Sequence, residues 1–363
     1  MDSSVVRIHH SLQPHRTDAA AAHSLSEREE LILRAIVQSY VLSANPVSSA
    51  ALMKQLESDL KVSSATIRNV MAHLEEQGYI NHPHVSAGRV PTDLGYRYYV
   101  DSLMAPESLT TSEAKALQTN LSSGTTENLL RDASRLLGVV SRLLGVVQLP
   151  TVGDLTIRRI ELVALSSTRL LVVLAFDSDV LRTVTLETDT TFAAESLDAV
   201  SRVMNERVSG KPLRFVRENF PHMLEDHSSN PVVRLFVDSL DRLLHDQSDR
   251  VHLAGAQNLV QQPEFDTPDR LRGVVELMEN EDVIVHLMER SGIDAAKGGV
   301  HVMIGSEIQS DLLRDFSFVS AQYRIGRRSY SVGLIGPKRM NYAKLMSLVG
   351  SVAHLITSSA RHD

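Results

Sequence analysis

The sequence predicts an α+β protein of more than one domain, and three observations carry that reading. The chain has 363 residues, too many for one ordinary hydrophobic core. Apolar residues recur at helical spacing through the first hundred positions, whereas short Val, Leu and Ile runs take over from Ile157. Strand-like runs then return near the C-terminus after a long helical stretch, which points to an α+β domain interrupted by an insertion.

The first 24 residues contain Arg7, Arg16 and an Ala run but no continuous apolar segment with a cleavage signature, and read as a disordered extension rather than a signal peptide. Ser26 with Glu29 forms a capping box, and Leu31, Ile32, Ala35, Ile36 and Tyr40 extend the helix to about Leu42. Asn45-Pro46 ends it. A short second helix starts at Ser48, with Leu52, Met53 and Leu56 on its apolar side. The third opens at Ser63 or Ser64, carries Ile67, Val70, Met71 and Leu74 on one stripe, and stops at Gly78. Tyr79-Ile80 begins an extended stretch, residues 82–91 form a loop punctuated by Pro and Gly, and Thr92 caps a fourth helix. Three helices, a strand and a loop is the order of a winged helix.

After Met104 the sequence turns polar, and Pro106 to Thr126 reads as a linker into a helix. That helix is expected to contain a repeated heptad, Ser134 to Val140 and again Ser141 to Val147, both reading Ser-Arg-Leu-Leu-Gly-Val-Val. Two copies are too few for a coiled coil, so a helix packed on a sheet is expected. Strands follow at Ile160 to Leu165, Leu170 to Phe176 and Val180 to Glu187, then a helix from Phe192 to Val208 ending at Gly210. Residues 211–296 read as mostly helical, with Pro231 and Pro268 as first-turn prolines. Strands return at Val300 to Ile304, Phe318 to Tyr323 and Tyr330 to Ile335, before a last helix carrying Tyr342, Leu345, Leu348, Val352 and Ile356.

Composition limits what this architecture can do. No apolar run reaches bilayer length. Cys is absent, which removes thiolate chemistry and cysteine-based zinc sites and fits the cytoplasm. The net charge of −7 is unfavourable for general affinity to nucleic acid. From Lys61 to Tyr99, however, Lys61, Arg68, Arg89 and Arg97 face only Glu75, Glu76 and Asp93. No nucleophile elbow, phosphate-binding loop or paired-carboxylate motif is present, so no catalytic residue, cofactor or metal is expected. His82-x-His84 has ligand-like spacing, but without acids or Cys nearby a loop is the simpler account.

With the apolar stripe of the third helix inward, Ala65, Asn69, Ala72 and Glu76 face out and Thr66, Arg68 and His73 flank them. A helix that enters a major groove needs this slimness, and Asn69 and Arg68 have the fork geometries that pair with adenine and guanine. Ser63 and Ser64 suit a phosphate at the helix start, and the loop offers His84, Ser86 and Arg89 as a wing. By texture alone such a unit serves equally to bind protein.

The run Ser63-Ser64-Ala65-Thr66-Ile67-Arg68-Asn69-Val70-Met71, then Gly78-Tyr79-Ile80, Ser86-Ala87-Gly88-Arg89-Val90-Pro91-Thr92 and Gly95-Tyr96-Arg97, resembles the HrcA family of heat-inducible repressors. So does Gly333-Leu334-Ile335-Gly336-Pro337-Lys338-Arg339-Met340-Asn341-Tyr342. The resemblance implies a winged helix over 25–104, a linker and helix over 105–150, a GAF-like domain over 151–210 and 297–360, and an inserted dimerisation domain over 211–296. It further implies a homodimer on the inverted-repeat CIRCE operator, double-stranded DNA ahead of chaperone operons. The GroE chaperonin would keep it active, and heat would release repression. Phe236, Leu240 and Leu244, one stripe of the insertion, are the candidate dimer contacts. The alternative is a ligand-sensing GAF-like regulator whose N-terminal unit binds protein. Two departures from the family pattern stand out: Ser48-Ser49-Ala50 replaces the usual Gly, Ser and basic residue, and Lys338 replaces the usual Thr.

Overall fold

The structure is a computed structural model that describes residues 25–56, 63–83, 87–105, 107–121, 125–150, 153, 155–177, 181–187, 194–223, 236, 250–294, 299–326 and 328–360. The expected extension 1–24, and the expected site residues His84, Ser86, Leu240 and Leu244, lie outside the described residues.

Helix α1 (Glu27–Ser43) begins at the predicted capping box, in which Ser26 and Glu29 satisfy each other's amides. It buries Ile32, Leu33 and Ile36 and is stopped by Ala44 in the left-handed region, φ 55°. Helix α2 (Ser49–Gln55) is capped by Ser48 and α3 (Ser64–Glu76) by Ser63. Gly78 turns the chain at φ 81°, a conformation costly for a residue with a Cβ. Strand β1 (Ile80–Asn81) then pairs antiparallel with β2 (Val90–Pro91). Thr92 caps α4 (Asp93–Tyr98), which runs on through one wider turn to Leu103.

Helix α5 (Thr111–Asn120) occupies the expected linker, opened by a second capping box that Thr110 forms with Glu113. Helix α6 (Thr126–Ser141) contains only the first copy of the heptad; Arg142 leaves it at φ 57°, and the second copy is strand β3 (Leu144–Gln148). Next come β4 (Ile157–Ala164), β5 (Arg169–Phe176), β6 (Leu181–Glu187), α7 (Ala194–Val208) and α8 (Leu213–Met223). Strand β7 (Val251–Ala254), α9 (Ala256–Val260), α10 (Pro268–Glu279) and α11 (Glu281–Asp294) follow. The chain closes with β8 (Val300–Ile304), β9 (Phe316–Ile325), β10 (Arg328–Pro337) and α12 (Tyr342–Ser359). Among the described residues no helix is long and apolar enough to cross a membrane.

The chain divides into two compact units. One comprises the described residues up to Gln148, Val251–Arg324 and those from Ser331 onward. Its five-stranded sheet has the order β7-β3-β10-β9-β8. One sheet face lies on α10 and α11 through Leu144, Val146, Val274, Leu277, Ile284 and Met288. Helix α6 closes on the opposite side of β3, where Gly145 meets its backbone. The other unit comprises the described residues between Leu149 and Arg250, with Ile325–Tyr330. Its three-stranded sheet, β4-β5-β6, buries Ile160, Leu170, Val172 and Leu174 against Leu197, Val200 and Met204 of α7.

The α+β class is as expected, but the expected division is not found. Among the described residues, those of 151–210 share no sheet with those of 297–360, because β4, β5 and β6 pair with one another. Residues 251–294 lie in the first unit rather than in an insertion spanning 211–296, so the interruption runs from Leu149 to Arg250. The reason is β7. Four residues, Val251 to Ala254, carry too little alternation to be read as a strand, yet their pairing with β3 returns the chain to the larger sheet. Phe236, expected at a dimer surface, is instead fully buried in the core of the second unit with Leu213 and Val216.

Candidate nucleic-acid interface

Burial along α3 sorts its residues into two faces. Ile67, Met71 and Leu74 are buried, while Ala65, Arg68, Asn69, Ala72 and Glu76 are exposed and Val70 is half-buried. The short side chains of Ala65 and Ala72 leave the outer face slim enough for close approach to a duplex. Asn69 has no side-chain hydrogen-bond partner among the described residues, so both its amide donor and its acceptor face solvent. Arg68 donates from Nε to the Ser49 hydroxyl at 3.4 Å, which leans it toward α2 and leaves its terminal nitrogens available. At the helix start Ser63 Oγ accepts from the Thr66 amide at 3.2 Å and lies 3.0 Å from the Thr66 hydroxyl. Ser63 therefore serves first as the cap, and Ser64 stands half-exposed beside it.

Two expected contact residues are engaged elsewhere. His73 Nδ1 meets the carboxylate of Glu29, the same group that closes the α1 capping box, and Gln77 holds the other ring nitrogen at 3.2 Å. Hydrogen bonding from Ser26, outweighing a small burial effect, and from His73 holds the Glu29 carboxyl below its ordinary value. This pair ties the last turns of α3 to the start of α1, one turn beyond Asn69.

Arg89 places its guanidinium 2.8 Å from Glu75 and against His82, and Glu75 also takes His82 Nδ1. The Arg89 backbone forms a two-way bridge with Val47, at 2.8 and 2.9 Å. The neighbouring Gly88 has no room for a Cβ, which would sit 2.6 Å from the Val47 carbonyl. Arg89 thus fastens the base of the loop to α3 and to the entry of α2. Sequence reasoning missed Glu75 as the hub of this cluster, because an i, i+7, i+14 relation across a strand and a loop has no helical signature.

The C-terminal run Gly333 to Tyr342 is a tightly packed strand-to-helix connection. Gly333 passes under Val319, where a Cβ would lie 2.5 Å from the carbonyl oxygen, and Asn341 caps α12. Arg339 is bound by Glu264, by Gln262 at 3.2 Å and by the Val41 carbonyl at 2.9 Å. Among the described residues no cluster of His, Asp and Glu could hold a metal ion.

Three comparisons with known proteins gave matches. Residues 127–346 match the family model described as the HrcA protein C terminal domain. The chain is 36% identical over 349 residues to the heat-inducible transcription repressor HrcA of Chlorobium phaeobacteroides strain BS1, covering 93% of this chain and 99% of that protein. It is 34% identical to the protein of the same name from Desulforudis audaxviator, covering 90% and 95%. A crystal structure described only as a hypothetical protein superposes with a TM-score of 0.57 at 24% identity, covering 93% of this chain and 99% of that one.

Proposed function

The chain belongs to the HrcA family of heat-inducible transcription repressors, and from that premise we propose that it is a negative regulator of heat-shock genes acting through its N-terminal winged helix. That family is not an enzyme class, and no chemistry on the target is invoked. The observation that carries the reading is the outer face of α3, where Asn69 and Arg68 stand exposed between two alanines over a buried apolar stripe. In this role α3 lies in the major groove, Asn69 and Arg68 read base edges, and the amides at Ser63 and Ser64 face a phosphate.

The target is the inverted-repeat CIRCE operator upstream of chaperone operons, bound by a two-fold homodimer, since protein symmetry must match operator symmetry. Because Phe236 is internal, we place the dimer contact on the outward face of β4, β5 and β6. There Val163 pairs with Leu171, and Ala175 with Leu181; Val163 and Leu181 are 43% and 63% exposed. That face mixes apolar Val163, Leu171, Val173, Ala175 and Leu181 with the Arg159–Glu161 ion pair, and its exposed apolar part is disfavoured in water. The five-stranded unit is the GAF-like part. Heat releases repression as the GroE chaperonin, which maintains the active fraction by ordinary linkage, is diverted to other clients.

The test is a mobility-shift titration of the purified chain against a duplex of its own chaperone promoter, with a scrambled repeat as control. Binding to the repeat that weakens steeply with salt is expected; equal binding to both duplexes refutes the assignment.

A further inference from the structure

The N-terminal head and the five-stranded sheet belong to one compact unit, and beside the Arg339 donation to the Val41 carbonyl at 2.9 Å they are joined by a set of charged contacts on α4. Asp93, the first residue of that helix, accepts from Lys338 Nζ at 2.8 Å and from the Ser306 amide at 2.9 Å. Gly305 has no room for a side chain there: a Cβ would meet the Asp93 carboxylate at 2.3 Å. One turn on, Arg97 makes a fork with Glu307, its Nε at 2.7 Å, and donates to the Val302 carbonyl at 2.7 Å and to Asp101 at 3.1 Å. Between them Tyr96 is buried against Tyr342, ring centres 6.0 Å apart. The connecting segment is fixed as well, since Glu107 receives Asn341 and Ser347, and Glu113 pairs with Lys344 at 2.7 Å.

We infer that Asp93 and Arg97 are positioning residues that clamp the DNA-binding head to the C-terminal core, so that the core sets the angle at which α3 is presented and thereby the operator spacing the dimer accepts. Every latch partner, Lys338, Ser306, Glu307 and Val302, belongs to the core, and none of the clamping atoms lies on the outer face of α3. Bidentate and partly buried pairs of this kind hold geometry better than isolated surface pairs, because the guanidinium fork admits few orientations. The inference rests on the repressor reading above for its consequence at the operator, though not for the clamp itself.

The chain has no Cys, so Arg28→Cys, at an exposed site on α1 and away from the outer face of α3, gives a single dye position on the head. Time-resolved anisotropy of the full chain should show the dye following the slow rotation of the whole particle. The double variant Asp93→Asn with Arg97→Gln should add a fast component. The same proteins are then titrated with operator duplexes whose spacer is native or lengthened by two base pairs, which turns one half-site by roughly 70°. The original latch should lose about tenfold in affinity on the longer spacer, and the double variant less than about threefold. If the double variant fails to fold, judged by circular dichroism, Lys338→Thr, which removes only the charged contact to Asp93, replaces it in both measurements. An unchanged anisotropy decay, or an unchanged spacer profile, overturns the clamp. Absence of operator binding by the parent chain would sink the repressor reading alone, with the anisotropy arm still deciding the clamp.

Discussion

Gly138 and Gly145 hold the same place in two copies of one heptad, yet the first lies in helix α6 and the second in strand β3, and the two touch. A Cβ on Gly145 would stand 2.9 Å from the Gly138 amide nitrogen and 2.3 Å from the Ser134 carbonyl oxygen, while one on Gly138 would meet the Ala254 carbonyl oxygen at 2.7 Å. The repeated glycine therefore does one job twice: it lets a helix backbone and a strand backbone approach without side chains between them. Identical local sequence took different structure because β3 is held on both sides, by β7 and by β10, whereas Ser134 to Val140 has no strand to pair with.

Gly145→Ala should accordingly destabilise the first unit by about 1 to 3 kcal/mol through overpacking against fixed backbone. Val139→Ala, at a helix position 75% exposed, should change stability by less than about 0.5 kcal/mol. Chemical denaturation of both variants checks the contrast.

At the operator, Asn69→Ala and Arg68→Ala are each expected to cost about 1 to 3 kcal/mol of binding if they make bidentate contacts with bases. Mobility-shift titrations read this directly, and unchanged affinity in both variants would remove α3 as the reading element.

Arg89→Met should behave differently from a lost phosphate contact. Its guanidinium is occupied by Glu75 and His82, so the melting temperature should fall while the slope of log affinity against log salt stays at the parent value. A slope smaller by about one unit would mean that Arg89 does reach a phosphate.

Phe236→Ala and Leu171→Asp separate core from surface in the second unit. The first should cost about 3 to 5 kcal/mol of stability by leaving a cavity. The second should leave the fold melting near the parent temperature but convert a dimer to a monomer in sedimentation velocity. A Leu171→Asp chain that remains dimeric would move the contact off this sheet face.

The pH dependence of α5 follows from Glu113, whose carboxyl is pulled down to about 2 by Lys344 and then by the Thr110 amide and hydroxyl. A folded value below the unfolded one means the stabilisation is present above about pH 4.5 and is lost as pH falls toward 2. Glu113→Gln should melt lower than the parent at pH 7 by an amount equivalent to about 1 kcal/mol or less, given the solvent screening at this site. The gap should close as pH falls through that window in thermal melts.

Much of the head was legible because its signals are local. Ser26 with Glu29, Ser48, Ser63, Gly78 and Thr92 each act within one turn of backbone, and each does in the structure what its residue type implies. The outward set on α3 followed from helical period alone. What failed was what depends on distant partners: the second heptad, the four-residue β7, the limits of the interrupting unit, and the roles of His73 and Arg89. Thr110 with Glu113 was a readable capping box that the polar composition around it concealed.

The amino-acid order by itself decided the caps, the turns, the amphipathic faces and the family to which the chain belongs, since these reside in short runs of covalent neighbours. Only the tertiary structure decided that one heptad becomes a strand, that Phe236 is internal, and that Asp93 meets Lys338 across 245 positions of sequence. Pairing energy between distant segments is not written in either segment alone; it exists once both edges of a sheet, or both charges of a pair, have been brought together and removed from water.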